Sequence, residues 1–339
     1  MINKKKQTTI HDVAEKAGVS IKTVSRVINK ETNVRKATIS KVQSVIQDLN
    51  YQPNVFAQSL AGGKTRIIGL IYDNPNPVYI SHIMDGVLSY CYQMEYAVII
   101  HPCKFEDRDL LSVMSELIKK TRLTGMILTP PLSDSKELLT MLDTMEIPNV
   151  LISPGSEDIN SNCVTTNDYE SSKKMTQHMI KNGHRKIAFV KGHPDHLAVN
   201  NRAKGYIDAL EESGIGTNNE LIIQGYNSYE SGIECGKKLL ELKERPTAIF
   251  AANDEMAGGI IKVITEAGMS IPEDFSVAGF DDTPITQMLN PPLSTIRQPL
   301  EKMGEIAAKK LIAQLEGITV SNDQSLESTL VLRESINTI

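Results

Sequence analysis

Residues 9–29, TIHDVAEKAGVSIKTVSRVIN, predict two short helices joined at a glycine. Thr9 is an N-cap signal, and apolar residues recur at three- and four-residue steps in each half. Gly18 supplies the left-handed geometry that ends the first helix, and Ser20 is a second N-cap. A third amphipathic run, residues 37–49, offers the apolar side chains that close a three-helix core.

The second of these helices presents a polar, cationic face. Its buried face comprises Val24, Val27 and Ile28, so that Lys22 and Arg26 point outward. Two short helices hinged in this way are typical of a helix-turn-helix that reads the major groove of DNA. The alternative is a small helical bundle whose cations are merely solvated.

The charge of the chain is split between its two ends. Residues 1–64 contain 11 Lys and Arg against 4 Asp and Glu, whereas the whole chain contains 36 against 41. The remainder therefore holds 25 against 37, which is a basic head on an acidic body. This asymmetry favours a polyanionic partner for the head alone.

Length and composition restrict the class of protein. A chain of 339 residues is too long for one core and predicts a small domain plus a bilobed larger one. The N-terminus, MINKKK, has no apolar run behind it, so we expect no secretory signal, no membrane span and a cytoplasmic location. The four cysteines lack metal-ligand spacing, which indicates reduced thiols.

From residue 66 onward, short apolar strands alternate with longer helices. Such alternation predicts parallel, doubly wound sheets, and there are enough strands for two lobes with a cleft between them. The expected strands are 67–72, 97–101, 125–129, 150–153, 187–191, 248–252 and 276–280. The expected helices are 80–94, 107–121, 133–145, 169–182, 201–213, 229–242, 254–267 and 300–316.

Ligands of such folds bind beyond the carboxyl ends of the strands. That rule selects the pair Asp73 and Asn74, the turn 192–196 with His196, the pair 253–254 and the pair 281–282. Carboxylates and amides suit paired sugar hydroxyls, and the guanidinium of Arg202 suits forked donation.

The chain contains no convincing catalytic or metal motif. Residues 62–65, GGKT, resemble the end of a phosphate-binding loop, but Gln58 occupies the position where that motif requires its first glycine. His193 and His196 beside a proline match known zinc spacings only weakly. No nucleophile elbow or zincin helix is present, so we expect neither an enzyme, nor a metal, nor a cofactor.

Five segments carry a resemblance to a known family. They are TIHDVAEKAGVSIKTVSRVIN, LNYQPNVFAQSLAGGKT, GHRKIAFVKG, AIFAANDEMA and SVAGFDDTPI. In this order they resemble the lactose-repressor/galactose-repressor family of bacterial transcription regulators, over nearly the whole chain. The resemblance implies an all-α helix-turn-helix head and an α/β bilobed core, like periplasmic binding proteins, with two doubly wound parallel sheets.

The resemblance also implies a domain plan. Residues 1–53 are the DNA-binding domain, 54–64 a hinge helix, 65–333 the core for effector binding and dimerisation, and 334–339 a tail. Within the core, one subdomain takes about 65–166 and 295–325, and the other about 167–294 and 326–333. For 54–64, an inert linker is the alternative, because a helix that short is marginal alone in water.

The strand-end rule, side-chain chemistry and the resemblance together give the candidate site residues. Those expected to contact the effector are Asp73, Tyr79 (placed in the first post-strand loop), His196, Arg202, Asn253 and Asp281. Alternatively, Asn253 and Asp281 are helix N-caps and Arg202 forms a surface ion pair. The positions that relatives use to read base edges are matched by Ile21, Lys22 and Arg26. The side chains suited to phosphate contacts are Ser20, Thr23, Ser25 and Asn29. Leu60, supported by Asn54 and Ala57, matches the minor-groove wedge of the hinge.

Together these features predict a repressor whose grip on DNA is set by a small molecule in the cleft. The partners expected are a near-palindromic double-stranded operator, a second copy in a homodimer, and an effector for which a carbohydrate is the leading candidate. The alternatives are a periplasmic-type sugar-binding transport protein and a regulator controlled by a protein corepressor. Whether the effector releases the DNA or promotes binding stays open.

Overall fold

The computed structural model describes residues 8–28, 33–51, 65–155, 162–319 and 325–339. These residues form two compact units, divided between Arg66 and Ile67, and each is described separately. The first unit is all helical, and the second alternates strands and helices.

The helical head contains three helices, α1 to α3. They span Ile10–Ala17, Ile21–Ile28 and Lys36–Asp48. Their shared core is built from valines and alanines, namely Val13, Ala14, Ala17, Val24, Val27, Val42 and Val45. The predicted helices and their buried faces are therefore confirmed.

Local capping defines where the first two helices begin and end. Oγ1 of Thr9 accepts the backbone N–H of Asp12 at 3.4 Å, and the Asp12 carboxylate accepts the backbone N–H of Thr9 at 2.7 Å. Gly18 follows α1 with φ 61°, in the left-handed region that glycine adopts without strain. Oγ of Ser20 then accepts the N–H of Thr23 at 3.2 Å, as an N-cap of α2 should.

The first lobe of the core is a six-stranded parallel sheet in the order β11-β5-β4-β3-β1-β2. Its strands β1 to β5 and β11 are Ile67–Tyr72, Ala97–Pro102, Gly125–Leu128, Asn149–Ile152, Cys163–Thr166 and Ser325–Leu326. Its helices α4, α5, α6 and α12 are Pro77–Gln93, Leu110–Thr121, Lys136–Thr144 and Leu300–Leu315, with a short 3-10 turn at Leu132–Asp134.

Helices α4 and α12 of this lobe cross at two glycines. A methyl group on Gly86 would overlap the carbonyl oxygen of Glu301, and one on Gly304 would overlap that of Ile83. The backbones of α4 and α12 therefore touch where only glycine fits. Through this contact α12, which comes near the end of the chain, packs against the first helix of the core.

The second lobe is a four-stranded parallel sheet in the order β7-β6-β8-β9. Its strands β6 to β9 are Ile187–Lys191, Ile222–Gln224, Ala248–Ala251 and Ser276–Ala278. Its helices α7 to α11 are Asp168–Lys181, Ala198–Glu212, Tyr229–Glu241, Asp254–Glu266 and Ile285–Met288, with a 3-10 turn at Asn219–Leu221. The predicted pair of doubly wound parallel sheets is confirmed.

The chain crosses between the lobes three times. The crossings follow β5, β11 and a further strand, β10 (Thr295–Arg297), which pairs antiparallel with β12 (Thr329–Val331). Asn167 ties two crossings together, because its Oδ1 accepts the N–H of Ser328 at 2.7 Å. We call residues 166–168, 297–299 and 326–328 the three crossings.

The last residues, which the sequence leaves as a tail, are held by the second lobe. Oγ of Ser335 donates to the carbonyl of Val277 at 2.6 Å and accepts the N–H of Ser294 at 2.8 Å. The N–H of Ile339 donates to the carbonyl of Asn182. This segment thus contributes backbone partners to β9 and to the end of α7.

Candidate functional site

The helix α2 of the head turns its amino-terminal end to solvent. Ser20 and Lys22 are exposed, and Ile21 retains 40% of its side-chain exposure. Val24 and Val27 are buried in the head core on the other side. An exposed isoleucine flanked by a hydroxyl and a cation has the chemistry needed to contact a thymine methyl beside polar base edges.

The remaining predicted DNA contacts fall into two groups. Thr23, Ser25 and Arg26 are half-buried on α2, and the hydroxyls of Ser20 and Thr23 lie 2.9 Å apart. The others lie outside the described residues: Asn29, Asn54, Ala57 and Leu60.

A narrow cavity of about 40 Å³ lies in the core, where the carboxyl ends of both sheets meet. Eight of its ten lining side chains are polar, and they come from both lobes. The lining residues are Asn74, Asn76, Tyr79, His196, Ala198, Val199, Arg202, Asn227, Asn253 and Asp281. The structure therefore brings together five of the six residues predicted to contact an effector.

Arg202 forms a buried ion pair instead of a surface one. Its Nε donates to Oδ2 of Asp168 at 2.8 Å, and its Nη1 donates to the carbonyl of Ala252 at 2.6 Å. Nη1 also lies 3.8 Å from Oδ1 of Asp281, and the guanidinium stacks 3.6 Å from the centroid of the Phe280 ring. The cation is fixed in place before any ligand enters.

Asp281 is not a helix N-cap, because the next helix, α11, begins four residues later. Its Oδ1 accepts a hydrogen bond from Nε2 of Gln298 at 2.6 Å. Burial raises the pKa of this carboxyl to about 7, against the opposing effects of Arg202 and Gln298. Its backbone has φ 113°, a strained value for a non-glycine residue, and such strain is concentrated at functional sites.

Two further residues, Asp168 and Gln298, complete this network, and sequence reasoning missed both. Oγ1 of Thr166 donates to Oδ1 of Asp168 at 2.5 Å and lies 3.4 Å from Oε1 of Gln298. A ring of contacts thus runs through Thr166, Asp168, Arg202, Asp281 and Gln298. Its members Thr166, Asp168 and Gln298 belong to crossings between the lobes, which sequence spacing does not reveal.

Asn253 is the N-cap of α10, so the structural alternative is confirmed for this residue. Its Oδ1 accepts the N–H of Met256 at 3.0 Å, and its Nδ2 donates to the carbonyl of Asn227 at 2.9 Å. The amide still lines the cavity. A contact with a ligand would therefore use the second lone pair of Oδ1 or the second proton of Nδ2.

His196 is buried and neutral at physiological pH. Burial lowers its pKa to about 4, and the neighbouring ring of His193, 5.3 Å away between centroids, acts in the same direction. Nδ2 of Asn227 lies 3.4 Å from Nδ1 of His196. An amide nitrogen only donates, so Nδ1 accepts and the ring proton resides on Nε2.

Tyr79 lies in the first turn of helix α4, which corrects its predicted place in a loop. The helix begins earlier than expected, because Asn76 caps it through Oδ1 with the backbone N–H groups of Val78 and Tyr79. Burial raises the pKa of the Tyr79 phenol, which also hydrogen-bonds Ser153. The buried Nδ2 of Asn76 has no hydrogen-bond partner among the described residues.

Asp73 is the predicted contact that does not line the cavity. Its Oδ2 accepts the N–H of Phe105 at 2.7 Å, and Oδ1 lies 3.6 Å from the exposed ammonium of Lys104. The carboxylate thus holds the loop after β2.

Asp282, the neighbour of Asp281, faces a different set of partners. Arg297 Nε and Arg333 Nη2 each donate to it at 2.6 Å, and Arg297 belongs to one of the three crossings. Desolvation by burial raises the pKa of Asp282, but the two guanidinium groups outweigh it, so that the pKa of this carboxyl is lowered overall. Asp281 therefore lines the cavity, while its neighbour Asp282 pairs with an arginine of a crossing.

Neither a metal site nor a membrane span is found in the part of the chain that the structure describes. No group of three or more His, Cys, Asp or Glu side chains there is arranged to hold a metal ion. None of the described helices combines the length and apolarity needed to cross a bilayer.

Two sequence families match this chain. Residues 9–54 match the bacterial regulatory proteins of the lacI family, and residues 176–336 match a periplasmic binding protein-like domain. The chain is 36% identical over 315 residues to the HTH-type transcriptional repressor PurR of Vibrio atlanticus, covering 91% of this chain and 92% of that relative. It is 34% identical over 337 residues to PurR of Photobacterium profundum, covering 97% and 98%.

Solved structures agree with these sequence matches. The Lac repressor dimer bound to operator and the anti-inducer ONPF superposes with a TM-score of 0.86 and 29% identity, over 98% of this chain and 100% of that one. The complex of the transcriptional regulator CelR with cellobiose gives a TM-score of 0.74 and 28% identity, over 97% and 100%.

Proposed function

Because this chain belongs to the lacI family of bacterial regulatory proteins and is a DNA-binding transcriptional repressor rather than an enzyme, we propose that a small molecule in the core cavity sets its affinity for operator DNA. The operator is near-palindromic and is gripped by a homodimer. A single recognition helix reads only a few base pairs, so two copies are needed for a specific site. A protein that acts on operator DNA works in the cytoplasm.

The head supplies the DNA contacts in this proposal. Ile21, Lys22 and Arg26 read base edges, with a guanine as the natural partner of either cation. Ser20, Thr23, Ser25 and Asn29 position the helix on phosphates. The hinge contributes Leu60 as the minor-groove wedge, together with Asn54 and Ala57.

The observation that carries the effector proposal is the polar lining of the cavity. Amide, carboxylate, guanidinium and phenol groups from both lobes converge there, and the buried Nδ2 of Asn76 is left without a partner among the described residues. Such a set of donors and acceptors matches the vicinal hydroxyls of a carbohydrate. The proposed contacts are Tyr79, His196, Arg202, Asn253 and Asp281, and Asp73 acts indirectly through the loop it holds.

A purine base is the second candidate. The relatives matched over nine-tenths of the chain are repressors named PurR, whereas the CelR structure is a complex with the sugar cellobiose. A flat heterocycle favours aromatic faces on which to stack. Tyr79 is the only Phe or Tyr side chain among the described lining residues of the cavity, and Arg202 covers one face of the nearby Phe280 ring. Because few aromatic faces are open for stacking, the lining favours a carbohydrate over a purine base.

The network around Arg202 offers a route from ligand to DNA. Thr166 and Gln298 lie at crossings and hydrogen-bond residues next to the cavity wall. A ligand that binds one angle between the lobes better than another shifts the population of that angle. Coupling is reciprocal, so the operator changes effector affinity by the same factor.

The test uses the full chain and an operator selected from a randomised duplex pool. Affinity for that duplex is measured with and without sugars and purine bases. We expect one carbohydrate to change it about 5- to 150-fold, the range of typical coupling free energies. A response to purine bases alone overturns the carbohydrate assignment. A protein that binds its operator but responds to no compound favours control by a protein corepressor.

A further inference from the structure

Two basic side chains, Arg202 and His196, line the cavity, and neither offers it an uncompensated positive charge. The positive charge of Arg202 is met by Asp168 at 2.8 Å and by Asp281 at 3.8 Å. All three side chains are at most one-tenth exposed, so water screens these charges little. The other basic residue, His196, is neutral at physiological pH.

The hydrogen-bonding capacity of these residues is nevertheless only partly used. Nη2 of Arg202 makes no hydrogen bond to any described residue, whereas its Nε and Nη1 are engaged. Nε2 of His196 carries the ring proton, because Nδ1 accepts from Asn227. The lining thus offers donors to neutral oxygen atoms without offering an uncompensated positive charge.

An anionic group would meet unfavourable charges in this position. A phosphate within reach of Arg202 lies beside the Asp168 carboxylate and beside Asp281, whose pKa of about 7 leaves it partly ionised at neutral pH. A bidentate pair through Nε and Nη2 must displace the buried Asp168 carboxylate, which already accepts from Nε. A bidentate pair through Nη1 and Nη2 would place the phosphate against Asp281, which lies 3.8 Å from Nη1. The displaced Asp168 would then be a desolvated charge without its partner, which is costly.

We propose that the cavity selects an uncharged, hydroxyl-bearing ligand and rejects the phosphorylated form of the same compound. This inference rests on the proposed function, since it concerns the same cavity. The inference adds the chemical class of the effector to the proposed function: free sugars, but not sugar phosphates, control this repressor.

The test compares matched pairs of neutral and phosphorylated compounds on the full chain by calorimetry. The pairs are ribose and ribose 5-phosphate, glucose and glucose 6-phosphate, and adenine and its nucleotide. We expect the neutral sugar that binds to do so at least about tenfold more tightly than its phosphate, which corresponds to about 1.4 kcal/mol. Inorganic phosphate should not compete with it.

The outcomes separate this inference from the proposed function. Equal or tighter binding of the phosphate overturns charge selection while leaving a carbohydrate effector intact. Binding of adenine but not of its nucleotide overturns the carbohydrate assignment while charge selection stands. If no sugar, base or phosphate binds, both proposals are wrong.

A variant tests the cause of the selection. Asp168→Asn removes the charge that neutralises Arg202, so the preference for the neutral sugar should shrink severalfold. Asp208→Asn is the matched control, because Asp208 accepts from the Tyr169 hydroxyl and does not line the cavity. An unchanged preference in a folded Asp168→Asn protein contradicts the electrostatic explanation, and the wild-type comparison remains decisive if that variant does not fold.

Discussion

The head and the core carry their functional side chains in opposite ways. On α2 of the head, Ile21 and Lys22 are exposed, and the helix is fixed from behind by buried valines. In the core, Arg202 and Asp281 are buried and already hydrogen-bonded to other side chains. The proposed recognition side chains of the head are therefore separate from its folding, whereas in the core the proposed ligand contacts also hold the fold.

This difference has an energetic consequence. An exposed side chain contributes little to stability, so its removal should affect DNA binding alone. A buried ionic network is different, because taking out one member leaves another charge desolvated. Substitutions in the two regions should thus separate cleanly when stability and binding are measured on the same variants.

The largest effect is expected for Arg202→Ala. The Asp168 carboxylate, 7% exposed, loses its partner, and the free energy of unfolding of the core should fall by about 3–5 kcal/mol. Urea denaturation measures this loss, and effector response should disappear as well. Lys186→Ala is the control, since its ion pair with Glu244 is exposed and should contribute about 0–1 kcal/mol. A loss from Arg202→Ala no larger than this control breaks the comparison.

The next effect concerns pH and Asp281→Asn. The native pKa of Asp281, about 7, lies above its ordinary value of 3.8, so the folded state binds more protons than the unfolded state between these values. Stability contributed by this group is full below about pH 4 and is lost as the pH rises through 7. The asparagine retains an oxygen to accept from Gln298, which keeps this change milder than loss of Arg202.

The measurement is the difference in unfolding free energy between wild type and Asp281→Asn from pH 5 to 8. The wild type should lose stability relative to the variant up to about pH 7 and run parallel to it above. Groups common to both proteins cancel in this difference. A difference that does not vary with pH would show that Asp281 is ionised throughout.

The same contrast explains what the sequence revealed. The helices of the head follow from Thr9, Gly18 and Ser20, because capping is decided within a few residues. Long core strands such as Ile67–Tyr72 were predicted with their observed bounds. Equally short strands such as Ala248–Ala251 were predicted because they are continuously apolar. Five short strands that include polar residues were missed: Cys163–Thr166, Ile222–Gln224, Thr295–Arg297, Ser325–Leu326 and Thr329–Val331.

The cavity was predicted less completely than the fold, for a related reason. The rule that ligands lie beyond strand ends identified Asn253 and Asp281, which directly follow buried strands or their extensions. Asp168 contacts Arg202, and Gln298 contacts Asp281, only because separate crossings of the chain converge. Asn253 also shows that one side chain can cap a helix and line a cavity, so the two interpretations of it were never exclusive.

A smaller effect is expected in the head for Arg26→Ala. Discrimination between operator and scrambled duplex should fall by about 1–3 kcal/mol, because the guanidinium that we propose to read guanine is lost. Lys16→Ala is the control, as Lys16 pairs with Asp48 at 3.4 Å on another helix of the head. Both affinities are measured by fluorescence anisotropy at one salt concentration. Unchanged discrimination in Arg26→Ala would refute its role in base reading.

The smallest effect tests whether the head folds from local signals. Thr9→Ala removes the side-chain acceptor of a capping box, which should destabilise the head by about 1 kcal/mol. Thr38→Ala is the matched control: it lies within α3, where alanine is the better helix former, so it should be neutral or slightly stabilising. Helical circular dichroism during thermal unfolding of the full chain gives both values. Equal stability of the two variants would mean that the valine core alone defines α1, and that the head resembles the core in depending on distant contacts.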